Sequence, residues 1–322
     1  MSQTKPQSSP NIAFSRIHKL RQSYLNAQGY LPDYWADDEL LTAYDETLAQ
    51  RIRWKWRAVW GALPETSTLP RTLVDLGCGT GAASREVLSL AQENFDRVVL
   101  LDRSARAVQF ASRKIHQEFP QIKVETKIPK EPYLLLVSHV FSELPDEGLR
   151  DFLSLLIEAD SILWVEPGRH QESRRLSRLR ETLRATHTFL APCPHQSLCG
   201  MLKDGEEENW CHFRAPVPRE VHHSAYWREV SKQLGIDLRS LPVAYLYARK
   251  LPNLALDAGD TVQVLAGSRT FKGYVRFHGC HESKVFRQDF MKRHSKTLFE
   301  ELSEPDLTTR LSLRKDLSHG PL

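Results

Sequence analysis

The chain of 322 residues has no apolar run approaching 18 residues, which argues against a transmembrane helix. Its first residues, from Met1 to Asn11 and a little beyond, are polar and contain proline, and they lack the apolar core of a secretory signal. Charge of one sign is not in large excess, because the formal net charge is only +4. So small a charge permits a nucleic-acid partner without requiring one. We therefore expect a globular protein outside the membrane.

Cysteine is also scarce, and the five cysteines are Cys78, Cys193, Cys199, Cys211 and Cys280. Without an export signal, a disulfide framework is not expected. Cys78 lies within a glycine-rich segment, where we interpret it as a small residue. The other four require a separate explanation.

The N-terminal region gives two expectations about location. Residues 1–12 are predicted to be a disordered tail. Ile17–Leu25 is basic and weakly amphipathic, as in a mitochondrial presequence or an ordinary surface helix. We favour the surface helix and therefore a bacterial cytoplasmic protein, with the mitochondrial matrix as the alternative.

The most informative segment is Thr72–Ser84. It begins with an apolar run, which predicts a buried parallel strand. Three glycines follow, Gly77, Gly79 and Gly81, and then a helix from Ala82 to Leu90. Glycines suit a tight turn whose backbone touches a ligand, and the N-terminus of a helix offers free N–H groups. The segment therefore predicts a ligand-binding loop.

Two cofactors fit this loop. Gly77, Gly79 and Ala82 have the relaxed spacing of the dinucleotide fingerprint, which leaves NAD open. The longer string from Asp75 to Gly81 resembles motif I of the class I S-adenosylmethionine-dependent methyltransferases. That resemblance implies that Asp75 lies near the methionine part and that Asp102, at the end of a second apolar strand, holds the ribose. We favour S-adenosylmethionine over NAD, and over a glycine turn that binds nothing.

Strand and helix patterns alternate from Thr72 to about Lys250, which predicts a parallel sheet with helices on both faces. The predicted strands are 72–77, 98–102, 123–127, 133–139, 161–166 and 243–249. The predicted helices are 82–92, 104–118, 146–158 and 170–186. This is an α/β fold of the class I methyltransferase type, related to the Rossmann fold.

One or two further helices are predicted over Asp37–Trp60, where apolar residues recur at helical spacing. Arg51, Arg53, Lys55 and Arg57 alternate with tryptophans there. The first interpretation is a helix packed on the core with its basic residues in water. The second is a helix facing RNA, where guanidinium and indole planes meet phosphates and bases.

Ligands in such sheets bind beyond the carboxyl ends of the strands. That rule selects Gly77–Gly81, Asp102–Ser104 and Ser138–Pro145. In the third segment, Ser142 and Glu143 are the best candidates for catalytic residues. Glu143 would orient or deprotonate an acceptor, unless it caps the following helix or pairs with an arginine.

A cysteine-rich insertion is predicted over 191–213, where three cysteines lie among turn residues. With Cys280, four thiolates would suit tetrahedral zinc or an iron–sulfur cluster. Zinc ribbons favour tight cysteine pairs, whereas the gaps here are wide, and Cys193-Pro194 is typical of cluster ligands. The residues alone leave both metals open, as well as chance clustering in a core.

Several strings together resemble the ribosomal small-subunit methyltransferase-like family over roughly residues 35–290. They are Asp75–Ala82, Ser142–Pro145, Val165–Gly168, Ala191–His195, Trp210–Phe213 and Ala244–Leu246. The resemblance implies a class I methyltransferase fold, S-adenosylmethionine, and binding to the small ribosomal subunit and its rRNA. Its mitochondrial relatives also imply a [4Fe–4S] cluster, with Cys193, Cys199, Cys211 and Cys280 as ligands, which favours iron–sulfur over zinc. The chain departs from the family at Arg169-His170 and, further on, at Lys292–Lys296.

Two functions follow from this resemblance. The first is an rRNA methyltransferase. The second is an assembly factor that binds S-adenosylmethionine and rRNA without chemistry, because the Asn- or Asp-Pro-Pro-aromatic motif of many amino-methyltransferases is missing after the fourth strand. Arg174 and Arg178 belong to an arginine-rich helix that would track RNA phosphates, or simply face water. We expect a monomer with no membrane partner.

The predicted domain boundaries complete the interpretation. A helical region covers 13–70, the methyltransferase-like domain covers 71–250, and a small β-subdomain with the fourth cysteine covers 251–302. Residues 303–322 are predicted to be a loose tail.

Overall fold

The structure is a computed structural model, and it describes residues 14–26, 33–64, 69–141, 149–250, 259–282 and 284–317. The predicted tail 1–12 and the catalytic candidates Ser142 and Glu143 lie outside the described residues. No helix in the described ranges is both long enough and apolar enough to cross a membrane.

The helices and strands are numbered in chain order. The helices are α1 (Phe14–Asn26), α2 (Asp38–Glu46), α3 (Leu48–Gly61), α4 (Ala82–Ala91), α5 (Ala105–Glu118), α6 (Leu149–Glu158), α7 (His170–Leu183), α8 (Arg219–His223), α9 (Ala225–Leu234), α10 (Lys296–Ser303) and α11 (Leu313–Asp316). The strands are β1 (Thr72–Leu76), β2 (Arg97–Leu101), β3 (Lys123–Glu125), β4 (Leu134–Ser138), β5 (Ser161–Pro167), β6 (Thr188–Ala191), β7 (Phe213–Ala215), β8 (Leu241–Arg249), β9 (Thr261–Thr270), β10 (Tyr274–His281), β11 (Lys284–Met291) and β12 (Arg310–Ser312).

The main sheet has the strand order β3-β2-β1-β4-β5-β8-β6, with β7 also paired to β8. The first five strands in this order are parallel, and the order reverses direction between β1 and β4. Such a reversal is the switch point where doubly wound sheets bind ligands. The predicted class I methyltransferase-like α/β fold is confirmed.

The sheet is mixed rather than wholly parallel, which corrects the prediction. Strand β8 runs antiparallel to both β5 and β6. The crossover from β5 through α7 to β6 skips one place in the sheet, and β8 fills that place from the opposite direction. Neither β6 nor β7 was predicted, because they are short strands at the two ends of the cysteine-rich insertion.

The core has two layers because successive side chains of a strand point to opposite faces. Leu73 of β1 packs with Trp56 and Val87, on the side of α3 and α4. Val74, the next residue, packs with Trp164 and Leu176, on the side of α6 and α7. Burial on both faces explains why these strands are almost continuously apolar.

The N-terminal helices pack on this domain through a third apolar cluster. Ile17 and Leu41, from α1 and α2, pack with Phe110 of α5 and Val230 of α9. A buried ion pair lies nearby, where Arg85 Nη1 is 2.7 Å from Asp45 Oδ1. These contacts hold α1 and α2 against α4, α5 and α9.

The C-terminal part forms a separate antiparallel sheet with the order β11-β10-β9-β12. Its own core includes Val262, Phe277 and Leu302. The prediction of a loose tail at 303–322 is wrong as far as Leu317. Strand β12 pairs with β9, and the side chains of Leu311 and Leu317 are buried in this core.

Candidate functional site

A cleft of about 1120 Å³ lies at the carboxyl ends of β1, β2, β4 and β5. One end, which we call the glycine half, is lined by Gly77–Thr80, Asp102 and Arg103. The other end, which we call the basic half, is lined by Arg21, Arg51, Lys55, His139 and Arg169. All of these residues come from segments that follow a strand or from α1 and α3.

The glycine loop is a tight left-handed turn. Gly77, Gly79 and Gly81 have φ values of +70°, +50° and +74°. Residues with a side chain rarely adopt these backbone angles. A Cβ added to Gly77 would also lie 2.9 Å from Val140 Cγ1. The Gly77 N–H donates to the Leu101 carbonyl at 2.8 Å, which fixes the loop against the end of β2. The loop therefore presents bare backbone to the cleft.

Asp102 lies at the end of β2 and faces this loop. Its Oδ2 accepts a hydrogen bond from Gly79 N at 2.9 Å, and its Oδ1 accepts one from Ser104 N at 2.9 Å. Burial raises the pKa of this carboxyl above its ordinary value, and the two backbone N–H groups oppose that rise. The structure thus brings together Asp102 and the three glycines predicted from the sequence.

Asp75, like Gly81, is a predicted site residue that does not line the cleft. Its side chain is fully buried beneath the loop, and its Oδ2 accepts a hydrogen bond from Ser84 N at 3.2 Å. Burial raises the pKa of Asp75 to about 6. Its Oδ1 has no hydrogen-bond partner in the described part of the chain. The observed contact is with the first turn of α4.

The basic half contains a buried pair that sequence reasoning missed. Lys55 is only 7% exposed, and its Nζ lies 3.2 Å from His139 Nε2. Burial, and then the charge of Arg51, lowers the pKa of Lys55 to about 7. Burial and the charge of Lys55 lower the pKa of His139 well below its ordinary value. This pair lies directly after β4, where the sequence analysis had placed its catalytic candidates.

The local geometry around His139 is unusual. Its backbone has a φ of +57°, a left-handed conformation that is uncommon for a residue with a side chain. The His139 Nδ1 lies 3.3 Å from Ser138 Oγ, and that oxygen accepts a hydrogen bond from Trp56 Nε1 at 2.9 Å. The α3 helix thus contributes both Lys55 and Trp56 to the end of β4.

Glu166 holds the segment after β4 in place. Its Oε1 accepts hydrogen bonds from Trp164 Nε1 at 2.8 Å and from Val140 N at 3.0 Å. Burial raises the pKa of Glu166 to about 8. Glu166 of the Val165–Gly168 string therefore has a structural role, because its carboxyl group connects the ends of β4 and β5.

The four remaining cysteines converge, although they are far apart in the sequence, and all are free thiols. Cys193 Sγ accepts a hydrogen bond from Arg180 Nε at 3.2 Å, and Cys280 Sγ lies 3.7 Å from His195 Nε2. Burial raises the pKa of Cys211, and charges on the other three thiols raise it further. Among the described residues, however, no group of three or more His, Cys, Asp or Glu is arranged to hold a metal ion.

The two arginines predicted to contact RNA have different environments. Arg174 is 8% exposed, and its Nη1 donates to the carbonyls of Met201, Glu206 and Asn209 at 2.8, 2.7 and 3.0 Å. Arg178 is exposed on the same helix. The structure therefore corrects the predicted phosphate-tracking face at Arg174, which instead holds the insertion by its backbone.

One signal for the residues of the basic half was present in the sequence. Arg51 and Lys55 are four residues apart, so they share one face of α3. The interpretation that this face lies in water is wrong for Lys55, which points into the cleft. It is also wrong for Arg53, whose Nε lies 2.7 Å from the buried Glu86 Oε2.

The family model described as "Mitochondrial small ribosomal subunit Rsm22" matches residues 48–301. The chain belongs to the Rsm22 family. The match covers all the strands of the methyltransferase-like sheet and all four converging cysteines. A search of curated proteins found no match.

Solved structures similar to this Rsm22-family chain include two methyltransferases. One is a SAM-dependent methyltransferase from Thiobacillus denitrificans in complex with S-adenosyl-L-homocysteine, with 12% identity, a TM-score of 0.38, and coverage of 69% of this chain and 100% of that one. The other is an rRNA methylase from Escherichia coli, with 12% identity, a TM-score of 0.38, and coverage of 66% and 71% respectively. Because these TM-scores are low, the fold assignment rests on the strand order.

Proposed function

We propose that this Rsm22-family chain binds S-adenosylmethionine in the glycine half of the cleft and acts on or with the rRNA of the small ribosomal subunit. The observation that carries the proposal is the left-handed glycine loop facing Asp102. Family membership supports the ribosomal partner, because the family's description names the small subunit. The same description names mitochondria, which supports the matrix alternative for location.

The described residues fit this cofactor. Asp102 would hold the ribose hydroxyls, since its carboxylate retains free lone pairs beside two backbone N–H bonds. Gly77 and Gly79 leave room for close approach of a ligand to the backbone. Bound S-adenosylmethionine supplies an electrophilic methyl group on a sulfonium sulfur. Lys55 and His139 face the same cleft, and a Lys55 pKa of about 7 suits it to accept a proton near neutral pH. Ser142 and Glu143 remain candidates for catalysis.

Cofactor binding is tested by calorimetric titration with S-adenosylhomocysteine and, separately, with NAD. We expect the wild-type chain to bind S-adenosylhomocysteine and not NAD. Asp102→Ala should weaken that binding at least tenfold, because two charge-assisted hydrogen bonds to the ribose are lost. Asp96→Ala is the matched control, since Asp96 is exposed and pairs with Arg71 away from the cleft. Equal affinity of the two variants would refute the proposed site.

A methyl-transfer assay distinguishes an rRNA methyltransferase from a ribosome-assembly factor that transfers no methyl group. Small ribosomal subunits from cells depleted of the chain would be incubated with it and with tritiated S-adenosylmethionine. Tritium in the rRNA supports the methyltransferase. Tight binding of the subunit without tritium, together with S-adenosylhomocysteine binding, supports the assembly factor.

We further propose that Cys193, Cys199, Cys211 and Cys280 hold a [4Fe–4S] cluster. Every pair among these thiols interacts electrostatically, and the Arg180 guanidinium would balance part of the negative charge of four thiolates. A single zinc ion needs four sulfurs about 2.3 Å from one point, whereas a cluster spans more space. The wide gaps between the cysteines along the sequence, together with the family resemblance, favour the cluster over zinc. Because Cys280 lies on the second sheet and the other three cysteines lie in the insertion of the main sheet, this site would join the two sheets.

Metal content and the visible spectrum of protein purified without oxygen test this site. We expect a brown protein with four irons and sulfide, as a [4Fe–4S] site requires. Cys199→Ser should lose the iron, and Cys78→Ser should retain it because Cys78 lies in the glycine loop. A colourless protein with one zinc would show that the four cysteines hold a structural zinc instead of a cluster. A metal-free wild-type protein would refute both the cluster and the zinc site.

A further inference from the structure

We propose that the basic half of the cleft is a binding site for the phosphodiester backbone of an RNA strand, with Arg21, Arg51, Lys55 and Arg169 as its cations. This inference rests on the proposed function, because it assigns the acceptor's place relative to the cofactor. It assigns the contact to residues of α1, α3 and the start of α7 rather than to the arginine-rich face of α7.

The first observation is an excess of positive charge in a partly enclosed space. Three arginines and Lys55 line one end of one cleft, and Glu172 is the acid that lines it with them. Glu172 Oε1 lies 3.5 Å from Arg169 Nη1. Like charges that outnumber the acids beside them cost free energy in the absence of a ligand. An anion in the cleft would remove that cost.

The second observation is the unfilled bonding capacity of Arg51. Its Nε is buried and has no hydrogen-bond partner in the described ranges, and its Nη2 makes only a long bond of 3.4 Å to the Asp237 carbonyl. The nearby carboxylate of Asp237 is already engaged by Arg239 through Oδ1 and Oδ2. A buried guanidinium N–H without an acceptor is costly. Phosphate oxygens are acceptors that match its fork.

Mutual repulsion among these groups supports the same conclusion. Burial, and then the charge of Arg21, lowers the pKa of Arg51 to about 10. The pKa of Arg21 is lowered by burial and by the charge of Arg169. Each cation therefore lies within electrostatic range of another, as a site for a multivalent anion requires.

Position and exposure indicate a polymer rather than a small anion. The basic half follows β4 and β5, whereas the glycine half follows β1 and β2, and β1 pairs directly with β4. Exposure increases from Lys55, which is buried, to Arg169, whose side chain is 53% exposed. An RNA strand that enters from the exposed Arg169 toward the buried Lys55 would meet successive basic side chains. It would present a nucleotide between Lys55 and the proposed cofactor. One carboxylate of the cofactor would neutralise one charge at most.

The test compares Arg51→Gln/Arg169→Gln with wild type. The probe is a fluorescent single-stranded RNA of twelve nucleotides, and S-adenosylhomocysteine and 5′-methylthioadenosine are titrated in parallel. The matched control is Arg71→Gln/Arg287→Gln, which removes two exposed arginines from the amino end of the main sheet and from the second sheet. Both double variants carry the same net charge.

We expect the cleft variant to bind the RNA at least tenfold more weakly, with its slope against log salt reduced by about 1.4, since each lost phosphate contact on a single strand contributes about 0.7. The control should behave like wild type, and S-adenosylhomocysteine binding should be the same in all three proteins, which also verifies folding. Equal RNA binding by the cleft variant and the control would overturn the inference. So would selective loss of S-adenosylhomocysteine binding with 5′-methylthioadenosine unaffected, because the arginines would then hold the cofactor's carboxylate. If wild type binds RNA but not S-adenosylhomocysteine, the proposed function fails instead.

Discussion

Lys55 is a buried ammonium group whose hydrogen bond is to a neutral imidazole rather than to a carboxylate. Because its pKa falls from 10.5 to about 7, the folded state binds fewer protons than the unfolded state between these pH values. The stability penalty is therefore fully present below pH 7 and fades as pH rises toward 10.5. The buried charge of Lys55 thus lowers the free energy of unfolding, and a bound anion would offset this loss.

Replacing this ammonium should stabilise the ligand-free chain. We expect Lys55→Met to raise the free energy of unfolding at pH 6.5, and the gain to shrink by about 2 kcal/mol by pH 8.5, at roughly 1.4 kcal/mol per pH unit above 7. Urea unfolding at both pH values measures it, with Lys123→Met as an exposed control. A gain that does not depend on pH would contradict a lowered Lys55 pKa.

Individual residues also show what the periodicity of a sequence cannot predict. The apolar stripe of α3 was visible in the sequence, and Trp56 is indeed buried. Periodicity gives the face of a helix but not the depth of a cleft above it. Lys55 and Arg174 were therefore assigned to water or to RNA, although one is buried in the cleft and the other bonds three carbonyls. The glycines were predicted from their spacing and Asp102 from the resemblance to motif I, and the structure places Asp102 against the glycine loop.

At the scale of elements, the end of β5 lies very close to the start of β8. A Cβ added to Gly168 would lie 2.5 Å from Val243 N and 2.8 Å from the Pro242 carbonyl carbon. These are backbone atoms of a strand buried in the sheet, so they cannot move aside cheaply. The antiparallel strand β8 thus depends on a glycine just beyond β5.

Gly168→Ala should destabilise the chain by about 2 kcal/mol or more, because an added methyl group in a packed core forces backbone shifts. Gly61→Ala is the control, since no atom lies within 4 Å of its Cβ position and alanine favours a helix. Thermal unfolding of both variants measures the difference. Similar unfolding midpoints would show that the start of β8 can shift away from residue 168 at little cost in stability.

The elements found from the sequence are those with strong local patterns. Strands β1, β2, β4 and β5 and helices α4 and α5 were predicted within a few residues, because buried parallel strands are continuous apolar runs. The antiparallel direction of β8 was missed, since an apolar run has no direction. Strands β6 and β7 were missed because they contain four and three residues among turns.

At the scale of the whole molecule, Cys280 lies on the second sheet, whereas Cys193, Cys199 and Cys211 lie in the insertion of the first. Backbone contact between the two parts includes a bond from Ala266 N to the His212 carbonyl at 3.0 Å. The second sheet has its own apolar core. A shared metal site would therefore join two parts that each have a core.

If so, Cys280→Ser should lose the iron and lower the unfolding midpoint of the purified holoprotein, because metal binding adds directly to folding free energy. Calorimetry should resolve a separate, earlier transition for the second sheet. Cys78→Ser should retain a single transition at the wild-type temperature. A Cys280→Ser protein that unfolds like wild type would argue against a metal shared between the sheets.

The place of β8 in the main sheet also has a consequence for the time course of synthesis. Both of its neighbours, β5 and β6, precede it in the chain, and Pro167 is separated from Leu241 by more than 70 residues. At about 5–20 residues per second, a ribosome needs roughly 4 to 15 s to translate that interval. The edge of β5 waits unpaired for this whole interval, and that of β6 from Ala191 onward, and unpaired edges are sites for wrong pairing. The newly made protein is therefore most vulnerable to aggregation until Arg249 has emerged.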